Sequence, residues 1–387
     1  MSPSLTVVVA PDSFKGSTTA AEVAAAIGGG WSEARPDDTV VLRPMADGGE
    51  GTIDAFALAV PGALRIPVTV AGPDNRPVSA EWLWLPPADA ERHPDGSVGG
   101  GTAVVELANT SGITLLAELR PMDAHTRGFG EAICAALDHG VDELLLAIGG
   151  SSSTDGGVGA LTALGARFLD AAGQPIADGA TGLRDLHSVD LAALRPLPQG
   201  GAEVITDVTN PLLGDRGAAA VFGPQKGADA DTVIDLEDAL VMLERVLGVP
   251  GAHTPGAGAA GGTGFGLALW GASIRPGAVA VGEAMGLPAE IALADVVITG
   301  EGRFDGQSAD GKVPSYVLGL ARAADAFALL VAGSVDADPD DFAAWVSLTE
   351  LAGSTAAAIE NAVPFLWAAG RALATGAANQ STSSTDQ

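Results

Sequence analysis

Only three lysines occur in the chain, Lys15, Lys226 and Lys312, against 16 arginines, and each sits in a polar loop that contains glycine. A lysine ammonium is a compact point charge that a planar guanidinium does not replace. Lysine retained at three loop positions in an arginine-biased chain therefore marks places where that shape matters. Five acids, Asp47, Asp155, Asp207, Glu301 and Asp305, stand at or soon after the ends of apolar, strand-like runs. Taken singly, Asp and Gly are ordinary turn residues. Five acids sharing their loops with Lys15, Lys226 and Arg303 form a pattern that suits phosphoryl transfer, where magnesium, fixed cations and positioning supply most of the catalysis. Gly-rich loops that open onto helix N-termini add free N–H groups and a positive dipole end for anions.

The elements that must position these loops read as an α/β chain. Leu5–Ala10 is a β-branched apolar run, and Thr19 with Glu22 has capping-box spacing for a helix that the glycines at 28–30 are expected to stop. Thr39–Arg43 is the next strand and Ile53–Val60 a short helix, a βαβα order that implies a parallel sheet. Ile66–Ala71 and Val78–Leu85 flank the turn signal Gly72-Pro73-Asp74-Asn75. Residues 86–101, rich in Pro, Gly and charge, read as a mobile loop before the strand Ala103–Leu107. These strands look antiparallel and point to a second, inserted domain. Further on come the helix Gly130–His139 and the strand Glu143–Ile148, apolar enough for burial on both faces of a parallel sheet. Glu203–Ile205, the helix Ala230–Leu247, the strands Asp295–Thr299, Phe327–Ala332 and Val346–Leu348, and a helix over Ala356–Leu373 complete the reading.

The expected fold is α/β with two α/β domains. A Rossmann- or flavodoxin-like parallel-sheet domain is drawn from 1–65, 122–163 and 286–376, and an inserted mixed-sheet domain from 66–121 and 164–285. The polar Ser/Thr tail, 377–387, is expected to be disordered. In open parallel sheets ligands bind beyond the carboxyl ends of the strands. Loops 11–17, 44–52, 149–157 and 300–312 are therefore expected to converge on one crevice.

Composition narrows the function classes. The length, 387 residues, suits two domains, and 47% hydrophobic residues exclude a disordered chain. The single cysteine, Cys134, excludes a disulfide framework or a Cys-rich zinc module. Apolar runs are strand-sized, far short of a membrane span, and no secretory pattern opens the sequence, so a cytoplasmic protein is expected. The net charge of −29 and 4% aromatic content argue against nucleic-acid or anionic-membrane binding. An acidic shell repels anionic substrates unless the site is locally positive. His93, His125, His139, His187 and His253 show no metal-ligand spacing. Gly256-Ala-Gly258-Ala-Ala-Gly261 is a literal GxGxxG, but Thr254-Pro255 stands where a dinucleotide site needs a strand. Gly306 to Lys312 matches a Walker A loop until Val313 replaces its Ser or Thr, and no GxSxG elbow is present.

Several longer motifs run in one order along residues 5–375: Ala10-Pro-Asp-Ser-Phe-Lys-Gly-Ser17, Pro44-Met-Ala-Asp-Gly-Gly-Glu-Gly-Thr52, Ile148-Gly-Gly-Ser151 with Asp155-Gly-Gly157, and Asp207-Val-Thr-Asn-Pro-Leu212. Gly217-Ala-Ala-Ala-Val-Phe-Gly-Pro-Gln-Lys-Gly227, the glycines from Gly256 to Gly262, and Gly300-Glu-Gly-Arg303 with Asp305, Gln307, Ser308 and Lys312 follow. Together they resemble the bacterial glycerate kinase family of the glycerate 2-kinase type. The resemblance implies ATP-dependent phosphorylation of D-glycerate with Mg2+, usually at the 2-hydroxyl, by two α/β domains with the site in the cleft between them. Phosphorylation at the 3-hydroxyl or of a related hydroxy acid, a nicotinamide dehydrogenase built on 256–261, and a non-catalytic phosphate- or hydroxyacid-binding protein are the rival readings. Two departures bear on specificity: Thr154 replaces a family amide in Gly149-Gly-Ser-Ser-Ser-Thr-Asp155, and Arg127 replaces a family tyrosine in Arg127-Gly-Phe-Gly-Glu131.

On this reading Lys15, with Ser13 and Ser17, neutralises phosphate oxygens, and Asp47 or Asp155 orients the attacking hydroxyl and takes its proton. Asp207, Glu301 and Asp305 are the candidate magnesium ligands or stand just behind them. Lys226, Arg303 and Lys312 hold phosphates or the substrate carboxylate. Asp12, Gly48, Gly49, Glu50, Ser151, Ser153, Asn210, Gln307 and Ser308 complete the expected binding set. ATP and D-glycerate are the expected partners.

Overall fold

The structure, a computed structural model, describes residues 3–87, 100–306, 312–376 and 379–380. Its strands are, in chain order, β1 (Thr6–Val9), β2 (Thr39–Leu42), β3 (Leu64–Ala71), β4 (Pro77–Leu85), β5 (Thr102–Glu106), β6 (Glu143–Ala147), β7 (Arg167–Leu169), β8 (Ser188–Asp190), β9 (Ala202–Ile205), β10 (Ser273–Arg275), β11 (Val296–Phe304), β12 (Phe327–Val335), β13 (Ala344–Ser347) and β14 (Asn379–Gln380). They form two six-stranded sheets, ordered β14-β13-β12-β11-β1-β2 and β10-β9-β6-β5-β4-β3, and a β7–β8 hairpin. The chain divides into two compact units, one of 1–47, 54–61 and 277–387 and the other of 48–53 and 62–276.

The first unit is built on the first sheet. β13, β12, β11, β1 and β2 run parallel, and only β14 at the edge is antiparallel. Their β-branched, apolar sequences suit strands covered on both faces. Val7, Val9, Ile298 and Val331 pack with Val23, Ile27, Leu366 and Ala369 from the helices Ala20–Ala34 and Ala362–Thr375. The expected capping box is present: Glu22 N donates to Thr19 Oγ1 at 3.3 Å and Thr19 N to Glu22 Oε2 at 3.0 Å. The glycines at 28–30 do not stop this helix, which continues to Ala34. They make room for a neighbour instead. A Cβ on Gly30 would lie 2.0 Å from the Trp367 carbonyl oxygen, so the two helices approach backbone to backbone. The last helical stretch is split at Asn361 into Thr355–Glu360 and Ala362–Thr375.

The second unit is built on the mixed sheet. β3 and β4 form the expected antiparallel hairpin, β4 pairs antiparallel with β5, and β5, β6, β9 and β10 are parallel neighbours. Trp82, Val105, Leu144, Leu146 and Val204 pack there with Phe129 and Ile133 of the helix Arg127–His139 and with Leu236 and Leu240 of the helix Ala230–Leu247.

Two expectations need correction. The sequence reading puts residues 122–163 in the parallel-sheet domain, yet β6, with its apolar run Leu144–Ala147, pairs with β5 and β9 and belongs to the second unit. Burial on both faces is a property of either sheet's centre, so the apolar run cannot tell the two apart. In the tail expected to be disordered, Asn379–Gln380 pairs with Ala344–Trp345 as an edge strand. The rest of 377–387 lies outside the described residues, as does most of the expected mobile loop, 88–99.

Candidate active site

Adjacent parallel strands of the first unit bring their C-terminal loops together. Asp12 N donates to Gly300 O and Met45 N to Pro11 O, each at 2.8 Å, which ties the loops after β1 and β2 to the far end of β11. They enclose a cavity of about 280 Å³ whose lining includes Asp12, Ser13, Lys15, Ser17, Asp47, Glu301, Arg303, Asp305 and Lys312. Phe14 is buried and its backbone pairs with Thr18, so residues 15–17 are held as a tight turn, with Gly16 at φ +78°. This turn sets Lys15 at a tip, where its side chain is 71% exposed and its Nζ lies 3.0 Å from Asp47 Oδ2.

Asp12 is the perturbed group of this cluster. Burial, then the charge of Asp47, push its carboxyl up to about 8; Glu301 adds to the rise, while Lys15 and the Ser13 N–H at 2.6 Å oppose it. Perturbed carboxyls of this kind cluster at functional sites. On the other flank, Arg303 Nε donates to Asp336 Oδ2 at 2.7 Å and stands 3.8 Å from Asp305 Oδ2, while Lys312 Nζ is 4.0 Å from Asp305 Oδ1. Lys312 also precedes the helix Val313–Ala323, whose first turn carries Pro314. Three cations and four carboxylates thus share one cavity, a locally mixed field inside a chain of strongly negative net charge. Gln307 and Ser308 lie outside the described residues.

The second unit gathers the remaining residues. Its adjacent strands β6 and β9 lead into the loops that carry Ser151–Asp155 and Asp207–Asn210. Gly149 N donates to Gly48 O at 2.9 Å, and a Cβ on Gly149 would stand 2.5 Å from Gly49 Cα, so only glycine permits this approach. Glu50 is exposed at the same turn. Asp155 is buried, and its Oδ2 accepts from Thr126 N, Thr126 Oγ1 and Gly159 N at 2.8–3.1 Å while Oδ1 accepts from Gly157 N at 3.1 Å. Four protein donors make this carboxylate a holder of its own loop. Lys226 is 2% exposed; its Nζ donates to Ser151 Oγ at 2.9 Å and to the Ser153 carbonyl. Burial pulls its ammonium down to about 7, against the opposing charge of Asp155. Asn210 Nδ2 donates to Arg216 O at 2.8 Å and Asn210 O accepts from Gly258 N, so the glycine run at 256–262 braces this loop and no strand leads into it.

The four loops expected to share a crevice are drawn from strands of both sheets. Loops 11–17, 44–47 and 300–306 share the first sheet, whereas loop 149–157 follows a strand of the second. Asp207 belongs to the second unit and Glu301 and Asp305 to the first. Among the described residues no group of three His, Cys, Asp or Glu side chains is arranged to hold a metal ion. Magnesium commonly takes only one or two carboxylates and completes its shell with water and phosphate oxygens. The all-oxygen donors Glu301 and Asp305 beside one cavity fit that habit. Of the two departures, Thr154 is fully buried, and Arg127 donates to Asp178 Oδ1 at 2.6 Å.

Ser334, Thr349 and Thr355 also line the first cavity and were missed. Ser334 sits opposite Arg303 in the β11–β12 register. The signal was the apolar run from Phe327, which ends at Gly333-Ser334 as the other strands end at their loops.

Comparison with known proteins agrees over nearly the whole chain. The profile of the glycerate kinase family matches residues 7–377. Curated relatives include the glycerate 2-kinase of Escherichia coli K12, 42% identical over 341 residues and 86% of each chain, and the glycerate kinase of Bacillus subtilis 168, 42% identical over 342 residues and 86% of each chain. A crystal structure from Salmonella typhimurium LT2, described as that of a glycerate kinase 2 assigned without further proof, superposes with a TM-score of 0.78 at 37% identity, covering 97% of this chain and 98% of its own.

Proposed function

This chain belongs to the glycerate kinase family, and from that premise we propose that it transfers the γ-phosphoryl group of ATP to the 2-hydroxyl of D-glycerate, releasing 2-phosphoglycerate and ADP. The observation that carries the reading is the Lys15–Asp47 pair, set at the carboxyl edge of a parallel sheet beside the buried, strongly perturbed Asp12. Transfer of a phosphoryl group needs cations around the equatorial oxygens and a group that orients the nucleophile. Lys15 supplies a point charge, with the Ser13 and Ser17 hydroxyls in the same lining.

Asp155 is spent on four protein donors, so the proton of the attacking hydroxyl falls to Asp47, whose partner Lys15 keeps it oriented. Asp12, protonated near neutrality by burial, donates a hydrogen bond to a phosphate oxygen rather than adding another negative charge. Arg303 and Lys312 hold the remaining anionic oxygens, those of phosphate or of the substrate carboxylate. Magnesium bound with ATP supplies charge neutralisation at the phosphates; Glu301 and Asp305 would hold it, with Asp207 a candidate in the second unit. Ser151 and Asn210 are the groups of the second unit placed to meet a polar ligand group. ATP as co-substrate supports a cytoplasmic reading; among the described residues no helix is long and apolar enough to cross a membrane.

The test is a panel of short hydroxy acids with Mg-ATP, read by ADP release and by phosphorus NMR of the product. D-Glycerate should give signal in a coupled assay with enolase and pyruvate kinase without phosphoglycerate mutase. A strict need for mutase would move the assignment to the 3-hydroxyl.

A further inference from the structure

The sequence points to Lys226 as a holder of phosphates or of the substrate carboxylate, yet its side chain is sealed inside the second unit. It lies at the end of the short turn Pro224–Lys226, and Gly227, at φ +93°, reverses the chain just after it. Gly227 packs on Leu119, which closes the turn on that side. The ammonium reaches up into the Ser151–Asp155 loop, where it meets Ser151 Oγ and the Ser153 carbonyl. That loop is otherwise fixed from its other side: Ile113 N donates to Gly150 O, and Ser152 donates twice to Ser111 O, from its N and from its Oγ at 2.8 Å. Gly156 N donates to Gly261 O, so the glycine run also presses on it. Lys226 thus stands under a loop whose backbone is held from several sides, and it is the partner of the Ser151 hydroxyl.

The chemistry of the pair fixes a hydrogen. An ammonium has three donors and no lone pair, so Ser151 Oγ must accept from Lys226. The one hydrogen of Ser151 then has to point elsewhere, and its residue retains 8% exposure. If Lys226 is a neutral amine, it has a lone pair, and the Ser151 hydroxyl can turn inward and donate to it. We infer that Lys226 is a positioning residue that, as an ammonium, holds the Ser151 hydroxyl outward as a hydrogen-bond donor to an anionic oxygen of ATP or glycerate. This rests on the proposed kinase function.

The groups that face Lys226 are few. Asp155, on the loop above, is the ionisable side chain that bears on it. Its own turn and the preceding helix Ala218–Phe222 carry no other charge. Burial and Asp155 oppose one another, and the result is an ammonium that loses its proton near neutral pH. Binding of an anion that needs the outward Ser151 hydroxyl then has to favour the protonated amine, and by reciprocity the anion must raise the pH at which Lys226 titrates.

Three lysines make the experiment direct. The full-length protein, labelled with 13C at lysine Cε, should give three resonances, and the one lost in Lys226→Met identifies Lys226. In the free protein it should titrate near pH 7. Saturating ATP without metal, or D-glycerate alone, should raise that midpoint by about 0.7 of a pH unit or more, the shift that corresponds to roughly fivefold tighter binding to the ammonium form. In Ser151→Ala the ligand-induced shift should vanish while the lysine still titrates. A midpoint that neither ligand moves, in a protein that still makes phosphoglycerate, would overturn the inference and leave the kinase reading standing. Failure to make phosphoglycerate would remove that reading instead. Kinetics give the second arm. Lys226→Met should raise KM for one substrate several-fold with a smaller change in kcat, and it should add little in the Ser151→Ala background. Equal losses in both backgrounds would show a prop for the fold and sink the positioning role. If Lys226→Met does not fold, assignment by ligand-free titration of the three resonances in Lys15→Ala and Lys312→Ala keeps the NMR arm decisive.

Discussion

Removal of the Lys15 ammonium separates a structural from a catalytic role by magnitude. The side chain is 71% exposed and its partner Asp47 is also partly solvated, and such surface pairs contribute about 0–1 kcal/mol to stability. Its turn is held by the Phe14–Thr18 backbone pair and the buried Phe14 ring, none of which involve the lysine chain. Lys15→Ala should therefore leave the denaturation midpoint nearly unchanged. In the proposed reaction the same group faces developing charge on the transferred phosphoryl, and deleting one fixed donor of that kind costs about 2.7–4 kcal/mol, or roughly 10²–10³ in turnover. Stability and rate should thus part by two orders of magnitude in one variant. Lys15→Arg restores charge without the compact shape and should recover only part of the rate. The deletion also removes the cation that counters the rise on Asp12, so the Asp12 carboxyl should move above 8 in a carbon-13 titration. The assay is ADP release under saturating Mg-ATP and D-glycerate, alongside a denaturation curve. A folded Lys15→Ala protein that keeps near-wild-type turnover would refute the assignment and the argument from lysine scarcity with it.

Asp12 and Lys226 give stability opposite pH dependences. The folded value of Asp12 is raised, so its contribution is full below 3.8 and lost as pH climbs through about 8; Asp12→Asn should flatten the fall in denaturation midpoint over that window. The folded value of Lys226 is lowered, so its contribution is full above 10.5 and lost as pH falls through about 7, and Lys226→Met should stabilise the acid side relative to wild type if it folds. Gly30→Ala must push a Cβ into the Trp367 carbonyl and should destabilise the first unit by about 1–3 kcal/mol in chemical denaturation. Gly319→Ala, in the helix Val313–Ala323 with nothing near its added Cβ, should stabilise by about 1 kcal/mol; a loss there would mean that helix is packed differently.

Local chemistry was legible and long-range pairing was not. The Thr19–Glu22 capping box, the helix Ala230–Leu247 and the β3–β4 hairpin are set by residues within a few positions of one another, and the structure bears them out. Gly29 and Gly30 could not be read, because their reason is Trp367, more than 300 residues away in sequence. A helix stop and a close helix crossing use the same residue type. Assignment of β6 to a sheet failed for the same cause: an apolar strand carries burial in its sequence but not the identity of its neighbours, here β5 and β9.

The three lysines show where that limit falls. Scarcity singles out all three, since it needs only the composition of the chain. Environment then sorted them. Lys15 is exposed at the tip of a turn and paired with Asp47; Lys312 is half-buried before a helix and stands 4.0 Å from Asp305; Lys226 is sealed beneath the serine loop. A cation in water and a cation beneath a loop obey opposite rules, the first acting through its charge and the second through which hydrogen bonds it allows its neighbours. One sequence signal therefore covers two mechanisms. The same substitution to an uncharged side chain should lower kcat at Lys15 and raise KM at Lys226, a contrast that steady-state kinetics on the two variants measures directly; the same kinetic split at both positions would show that burial had not divided their roles.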